Sequence, residues 1–186
     1  LLPSGAYKLD PAHASLVFHV SHLGFSNFTS RFSTFEATLT LDQKHPSNSS
    51  VRATIDPRSI EIYHSSLGSI LQAPEWFHSV KFPFMTFRSV RVDATGRDTA
   101  RVAGAMTFRG VTRLVVLNVR FNGGYAANPL DPLGARVGFS ARGVLKRSAF
   151  GMTTGLPAAG STMGVGDDVS FEIEAEFTKA AATLVR

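Results

Sequence analysis

Eight stretches of this chain alternate apolar and polar residues with a period of two, and clusters of turn-forming residues separate them. A period of two sends successive side chains to opposite faces of a strand, so each stretch has one apolar and one polar face. Leu16, Phe18, Val20 and His22 share one parity, with Val17, His19 and Ser21 on the other. Ala37–Leu41, Val51–Ile55, Met85–Val92, Val102–Phe108, Val115–Phe121, Val137–Leu145 and Val169–Phe177 repeat the pattern. Arg109-Gly110-Val111-Thr112 reads as a hairpin connection, and His45-Pro46-Ser47-Asn48-Ser49-Ser50 as a turn cluster. About eight such strands predict an all-β antiparallel sheet that closes on itself or forms a sandwich.

One stretch departs from the alternation. Between Ser65 and Ser79, Leu67, Ile70 and Leu71 recur at helical spacing, Ser65 or Ser66 can cap the start, and Pro74 opens a second turn carrying Trp76 and Phe77. The expectation is a short helix pair across one barrel end. Residues 122–134 and 153–166 are long, rich in Gly, Pro and Ala, and are candidate gates to a barrel mouth. No repeat, linker or composition shift divides the chain, so 1–186 reads as a single domain with a helical insertion at about 65–79.

Composition narrows the function classes. Disorder is excluded by 15 Phe and an apolar fraction of 44% in 186 residues. No window supplies the roughly 20 apolar residues of a membrane-spanning helix. The formal charge of +5 is diffuse, with no basic run interleaved with aromatics, so nucleic acid is not an expected partner. Without cysteine there is no thiol nucleophile, thiolate metal site or disulfide. Leu1–Gly5 fits either the stub of a cleaved export signal or an expression scar.

Recognisable catalytic signatures are absent. There is no Gly-x-Ser-x-Gly, His-Glu-x-x-His, phosphate loop or dinucleotide fingerprint, and Gly160–Gly166 lacks the lysine and precedes a strand. His19 and His22 have opposite parity, so a metal site would need His13 or another segment to complete it with either one; no metal centre or cofactor is expected. Asp10, Asp56, Asp167 and Asp168 sit where turn chemistry explains them. The tripeptides Asn27-Phe28-Thr29 and Asn48-Ser49-Ser50 match the glycosylation motif, which is too short to weigh.

The positive signal is the phenylalanine distribution. Branched aliphatics alone can fill an eight-stranded barrel, yet Phe18, Phe32, Phe35, Phe77, Phe87, Phe108, Phe139, Phe150 and Phe171 lie on or beside nearly every strand. Flat rings either fill a solid core or line an elongated cavity, and the residues alone leave both open.

A family resemblance bears on that choice. Tyr7-Lys8-Leu9-Asp10-Pro11-Ala12-His13 followed by Phe18-His19-Val20-Ser21-His22-Leu23-Gly24-Phe25 resembles the opening of the YceI-like family of bacterial lipid-binding proteins. Ile55-Asp56 with Ser59-Ile60, then Pro74-Glu75-Trp76-Phe77 and Phe82–Phe87, follow in the family's order. So do Gly104–Thr112, Arg147–Met152 and Val165–Val169. The chain departs from the pattern at Ala14, Ser30, His64–Ser69 and His78, which removes charge from the helical region.

The resemblance implies a lipocalin-like barrel with an apolar tunnel, export to the periplasm, and a long polyisoprenoid or prenyl quinone as ligand. Residues chosen by strand parity to line the tunnel are Phe18, Val20, His22, Phe32, Phe35, Ile55, Phe87, Met106, Phe108, Phe139, Phe150 and Met152, joined by Trp76 and Phe77 from the helical segment. Arg109, Arg142 and Arg147 are candidate partners of a phosphate headgroup at the mouth. A tail gaining about 0.8 kcal/mol per buried CH₂ should stay bound through purification. Two other readings stay open at this point. One is an enzyme using His13 or His22 as general base, and the other is an interaction barrel with a solid core; on any of the three readings an exposed edge or aromatic patch could support a homodimer.

Overall fold

The computed structural model describes residues 2–180. The single-domain reading of 1–186 thus extends over Leu1 and residues 181–186, which lie outside the described residues. Nine strands and one short helix follow in order: β1 Gly5–His22, β2 Ser26–Arg31, β3 Phe35–Leu41, β4 Ser50–Ile55, α1 Ser65–Gln72, β5 Met85–Ala94, β6 Thr99–Phe108, β7 Val111–Tyr125, β8 Ala135–Lys146 and β9 Val165–Lys179. All pair antiparallel, and β1 pairs with β9 to close the sheet.

The wall has eight staves although it has nine strands. β1 is 18 residues long and pairs on one side with β3 through Gly5–Lys8 and with β2 through Val17–His22. The chain kinks between these two partners at Phe32–Thr34, where the Phe32 N–H bonds Leu16 O (3.1 Å) and Ser33 N–H bonds Ser59 O (3.0 Å). β2 and β3 therefore form one broken stave. β2 is short and polar outward, so it carries little alternation in sequence.

Two bulges reset the alternation that sequence parity assumes to be uniform. Opposite Glu176 of β9, β1 carries the extra residues Asp10–His13, so Leu9 and Leu16 both face inward despite opposite parity. In β5 the register slips between Ser89 and Arg91, turning Val92 inward and leaving Val90 outward and exposed.

The two ends differ. One carries the β1–β2 turn, the long excursion between β4 and β5 with α1, the Arg109–Gly110 turn and the 147–164 loop. The other carries the 42–49 and 95–98 connections and the 126–134 loop. Arg109 and Gly110 both have positive φ (52° and 73°), the two-residue turn whose twist matches antiparallel strands. Val111 and Thr112, expected in the connection, already pair with Phe108 and Thr107. The expected helix pair is one helix: after α1, residues 73–82 are successive turns, and His64 holds the N-cap position without a side-chain bond, in place of Ser65 or Ser66.

Of the expected gate at 122–134, residues 122–125 belong to β7 and the 126–134 loop is fastened. Arg136 Nε bonds Asp131 (2.8 Å), while its Nη1 bonds Asp10 (2.8 Å) and Glu176 (2.6 Å) across the β1 bulge. Tyr125 O–H donates to Asp131 and His13 Nδ1 lies 2.9 Å from Asp10. Asp10 is held below the usual carboxylate range by Arg136 first and His13 second, and Asp131 by Arg136 first and Tyr125 second. Groups with lowered folded pKa stabilise the fold above their unfolded pKa, near 4, and lose that contribution as pH falls through the folded value. Arg136→Met should lower Tm by a nearly constant amount at neutral pH, and the gap to the native chain should shrink below about pH 4. Thermal denaturation across pH checks this, and a gap independent of pH would refute it.

Candidate ligand cavity

An apolar cavity of about 1020 Å³ runs from one barrel end to the other. That is at the upper limit of the roughly 300–1,000 Å³ of small-molecule pockets. Every residue singled out by parity lines it except one: Phe18, Val20 and His22 from β1, Phe32 at the kink, Phe35, Ile55, Phe87, Met106, Phe108 and Phe139 from the strands, and Met152 from the 147–164 loop. Trp76 and Phe77 close over it from the excursion. Phe150 is the exception. It is fully buried in the interior cluster at the helix-bearing end, its ring 5.8 Å from that of Phe108, and does not reach the cavity because Arg147–Phe150 forms a 3-10 turn that leaves strand parity.

Most of the lumen stays open because two large rings lie along the wall. A Cβ on Gly104 of β6 would overlap the Phe87 ring of β5, and one on Gly143 of β8 would overlap the Phe171 ring of β9. Each ring uses the space a neighbouring side chain would take and so does not project across the barrel. At the helix-bearing end the rings do meet. Phe18 stacks on Phe32 (5.3 Å), Phe32 tilts against Phe77 (5.8 Å), and Phe77 against Phe108 (5.8 Å). This aromatic layer closes that end beneath α1, whose Leu67 and Leu71 also line the cavity.

Polar lining gathers at the opposite end, where Asp42, Gln43, Ser49 and Ser50 face Arg97, Asp98 and Thr99. Sequence reasoning missed this collar. Its residues lie in turns, whose chemistry explained them locally, and only barrel closure brings the two connections to one rim. Asp42 is turned into its own loop, accepting the N–H groups of Lys44 (3.0 Å) and His45 (2.9 Å).

The three headgroup arginines are placed differently from the expectation. Arg142 is on the outer face with its side chain 74% exposed, next to Glu172, because the inward residues of β8 are Phe139, Ala141 and Leu145. Arg109 bonds the carbonyls of Pro74 (2.8 Å) and Trp76, tying the turn to the excursion. Arg147 does line the cavity, only 2% exposed, but four of its five N–H groups go to Gly166 O (2.8 Å), Met152 O (3.1 Å), Thr154 O (2.9 Å) and Val165 O (2.7 Å). Its guanidinium lies over Trp76, 5.4 Å from the ring centre, and burial pushes its pKa down. The 153–166 loop is clamped by these bonds, and only Val165 of it reaches the lumen.

His13, His19 and His22 lie apart from one another. His13 lies outside the lumen in the Arg136 network, where Arg136 already occupies the space between Asp10 and Glu176. His19 faces outward and bonds Thr29 Oγ1 (2.8 Å), while His22 lines the cavity. Among the described residues, no hydrogen bond joins His22 to an acid or nucleophile. No described helix is long and apolar enough to cross a membrane.

Removing the buried guanidinium would leave several carbonyls unpaired. Arg147→Met should cost about 3 kcal/mol or more, and Arg147→Lys should not restore it, because one ammonium cannot span four carbonyls. Denaturant unfolding of the two variants checks this; a fully stable lysine variant would refute it.

The YceI-like domain profile matches residues 7–177. A curated relative, Protein YceI of Salmonella arizonae, is 36% identical over 156 residues, covering 82% of this chain and 79% of its own. Among solved structures, the Campylobacter jejuni YCEI protein superposes with a TM-score of 0.72 at 26% identity, covering 86% of this chain and 90% of its own. Burkholderia cenocepacia BcnA gives 0.76 at 23% identity, covering 90% and 98%. A polyisoprenoid binding domain from Saccharophagus degradans, implicated in plant cell wall breakdown, gives 0.65 at 15%, covering 92% and 97%, a likeness of fold. Because the match runs through the strands that enclose the cavity and on to β9, the chain belongs to the YceI-like family.

Proposed function

We propose that this protein binds and carries or stores a long-chain polyisoprenoid lipid, of the prenyl quinone or polyprenyl phosphate type, without a chemical step. The observation that carries the reading is the continuous apolar lumen of about 1020 Å³, kept open by rings laid along its wall. The family membership and the fold shared with a polyisoprenoid binding domain support the ligand class. An elongated apolar volume suits a flexible chain better than a compact ligand, and the polar collar of Gln43, Ser49, Ser50, Arg97 and Thr99 offers hydrogen bonds to a headgroup at one end. With family members exported, the periplasm is the proposed compartment, which cell fractionation tests.

Organic extraction of protein purified from an isoprenoid-producing host, followed by mass spectrometry, should release a polyisoprenoid. Protein devoid of lipid in such a host would sink the reading. The open lumen has a separate test. Gly104→Ala or Gly143→Ala should push Phe87 or Phe171 into the lumen and weaken uptake of an apolar fluorescent probe by about tenfold, with circular dichroism unchanged. Unaltered uptake in both variants would show that these rings do not set the lumen width.

A further inference from the structure

The large exposed apolar side chains are unevenly distributed. Val90, Leu114 and Val144 are scattered on the outer walls, and the polar-collar end has Leu130 and Leu133 on the fastened 126–134 loop. The helix-bearing end has six: Phe25 (79% exposed), Tyr63 (96%), Ile70, Val80 (94%), Phe84 and Met163 (60%). They come from the β1–β2 turn, the excursion containing α1, and the 147–164 loop.

These loops form one surface. Leu23 N–H bonds Gly164 O (2.7 Å), and Gly24 abuts Thr162, which brings Phe25 and Met163 to neighbouring turns. Thr154 Oγ1 donates to Glu75 O (3.1 Å), Arg109 holds Pro74 and Trp76, and Gly110 abuts the Phe82 ring. Single apolar residues standing on separate loop tips bury little against a flat protein face, but each can enter a fluid interface independently. Phe and Tyr suit that boundary, and Tyr63 keeps a hydroxyl for the headgroup layer.

Charge at this end fits an anionic lipid surface. Asp56 and Glu61 are neutralised by Arg58 (2.7 Å) and Arg31 (2.6 Å); the exposed Glu75 is offset by Arg109, which bonds the carbonyls on either side of it, and Lys81, 5.2 Å from the Phe82 ring centre with no carboxylate partner among the described residues, leaves this excursion with surplus positive charge. α1 connects the surface to the lumen. Leu67 and Leu71 line the cavity, Ile70 on the same helix is exposed, and no strand ladder holds the helix in place.

We infer that the helix-bearing end docks on an anionic lipid bilayer, inserting Phe25, Tyr63, Ile70, Val80, Phe84 and Met163, with α1 standing between bilayer and cavity. The inference rests on the lipid-carrier reading for its purpose, since an apolar tail must enter from and return to a membrane. It does not rest on that reading for its geometry.

Flotation with phosphatidylcholine vesicles, with and without phosphatidylglycerol, tests it. The native chain should float with the anionic vesicles, more weakly with neutral ones. Phe25→Ser, Tyr63→Ser and Val80→Ser should each weaken flotation by about tenfold and together abolish it, since each removes one exposed apolar anchor. The triple variant should still yield lipid on extraction. Native protein that carries lipid but never floats would overturn the docking and leave the carrier reading standing, as would a triple variant that floats unchanged. Sedimentation revealing a homodimer that the triple variant dissolves, with no vesicle binding by either, would assign the surface to a second copy and overturn the docking. Native protein that floats yet holds no lipid would confirm the docking and sink the carrier reading alone.

Discussion

Eight staves put a β-barrel at the width where its interior is either just filled by its own side chains or just able to hold one small ligand. Which of the two results depends on where the largest inward side chains lie. In this chain Phe87 and Phe171 rest over Gly104 and Gly143 of adjacent strands, so two of the bulkiest rings contribute wall instead of filling. The same residue type does the opposite at the helix-bearing end, where Phe18, Phe32, Phe77 and Phe108 meet and close the lumen. The cavity is thus a consequence of ring placement and not of an unusually large barrel.

Closure of that wall depends on β1 reaching three partners. A regular strand of 18 residues could not keep one inward face against β3, β2 and β9 without matching all their registers. The Asp10–His13 bulge absorbs the mismatch. It also places Asp10 opposite Glu176, where two neighbouring carboxylates would repel without a cation. Arg136 supplies it, and through Asp131 the same guanidinium fixes the neighbouring loop. Charge compensation at the bulge and the stiffness of that barrel end are one feature.

The inward faces of β3, β4, β6 and, as far as Phe121, β7 were legible because uniform alternation survives there, and Ala37, Ile55, Met106 and Leu117 face the lumen as parity requires. Parity failed at Val92, which the bulge turns inward against the alternation set by Met85 and Phe87, and at Phe150, which lies in a 3-10 turn beyond the end of β8. β2 was missed because a six-residue strand with one partner needs little apolar pattern. The polar collar was illegible for a different reason. Asp42 and Arg97 lie in separate turns, each self-sufficient, and long-range closure alone makes them neighbours around one opening. Arginine identity also carried no address: Arg109, Arg142 and Arg147 look alike in sequence but bond a loop, face water and brace the cavity end respectively.

Arg147 bears on what the lumen will accept. A buried cation in an apolar cavity ordinarily suggests an anionic ligand, because an unpaired charge is costly away from water. Here four backbone carbonyls converge on the guanidinium and Trp76 covers one face of it, so the cost is already met within the protein. A phosphate at that position would have to displace carbonyl bonds that hold the 147–164 loop together. The end bearing Arg147 therefore suits the hydrocarbon tip of a ligand. Polar groups belong at the opposite rim, where Gln43, Ser49 and Thr99 are open to water and a headgroup can exchange solvent for protein without burying charge. On the proposed carrier reading, the chain would lie with its tail toward the aromatic layer and α1 and its headgroup toward the collar.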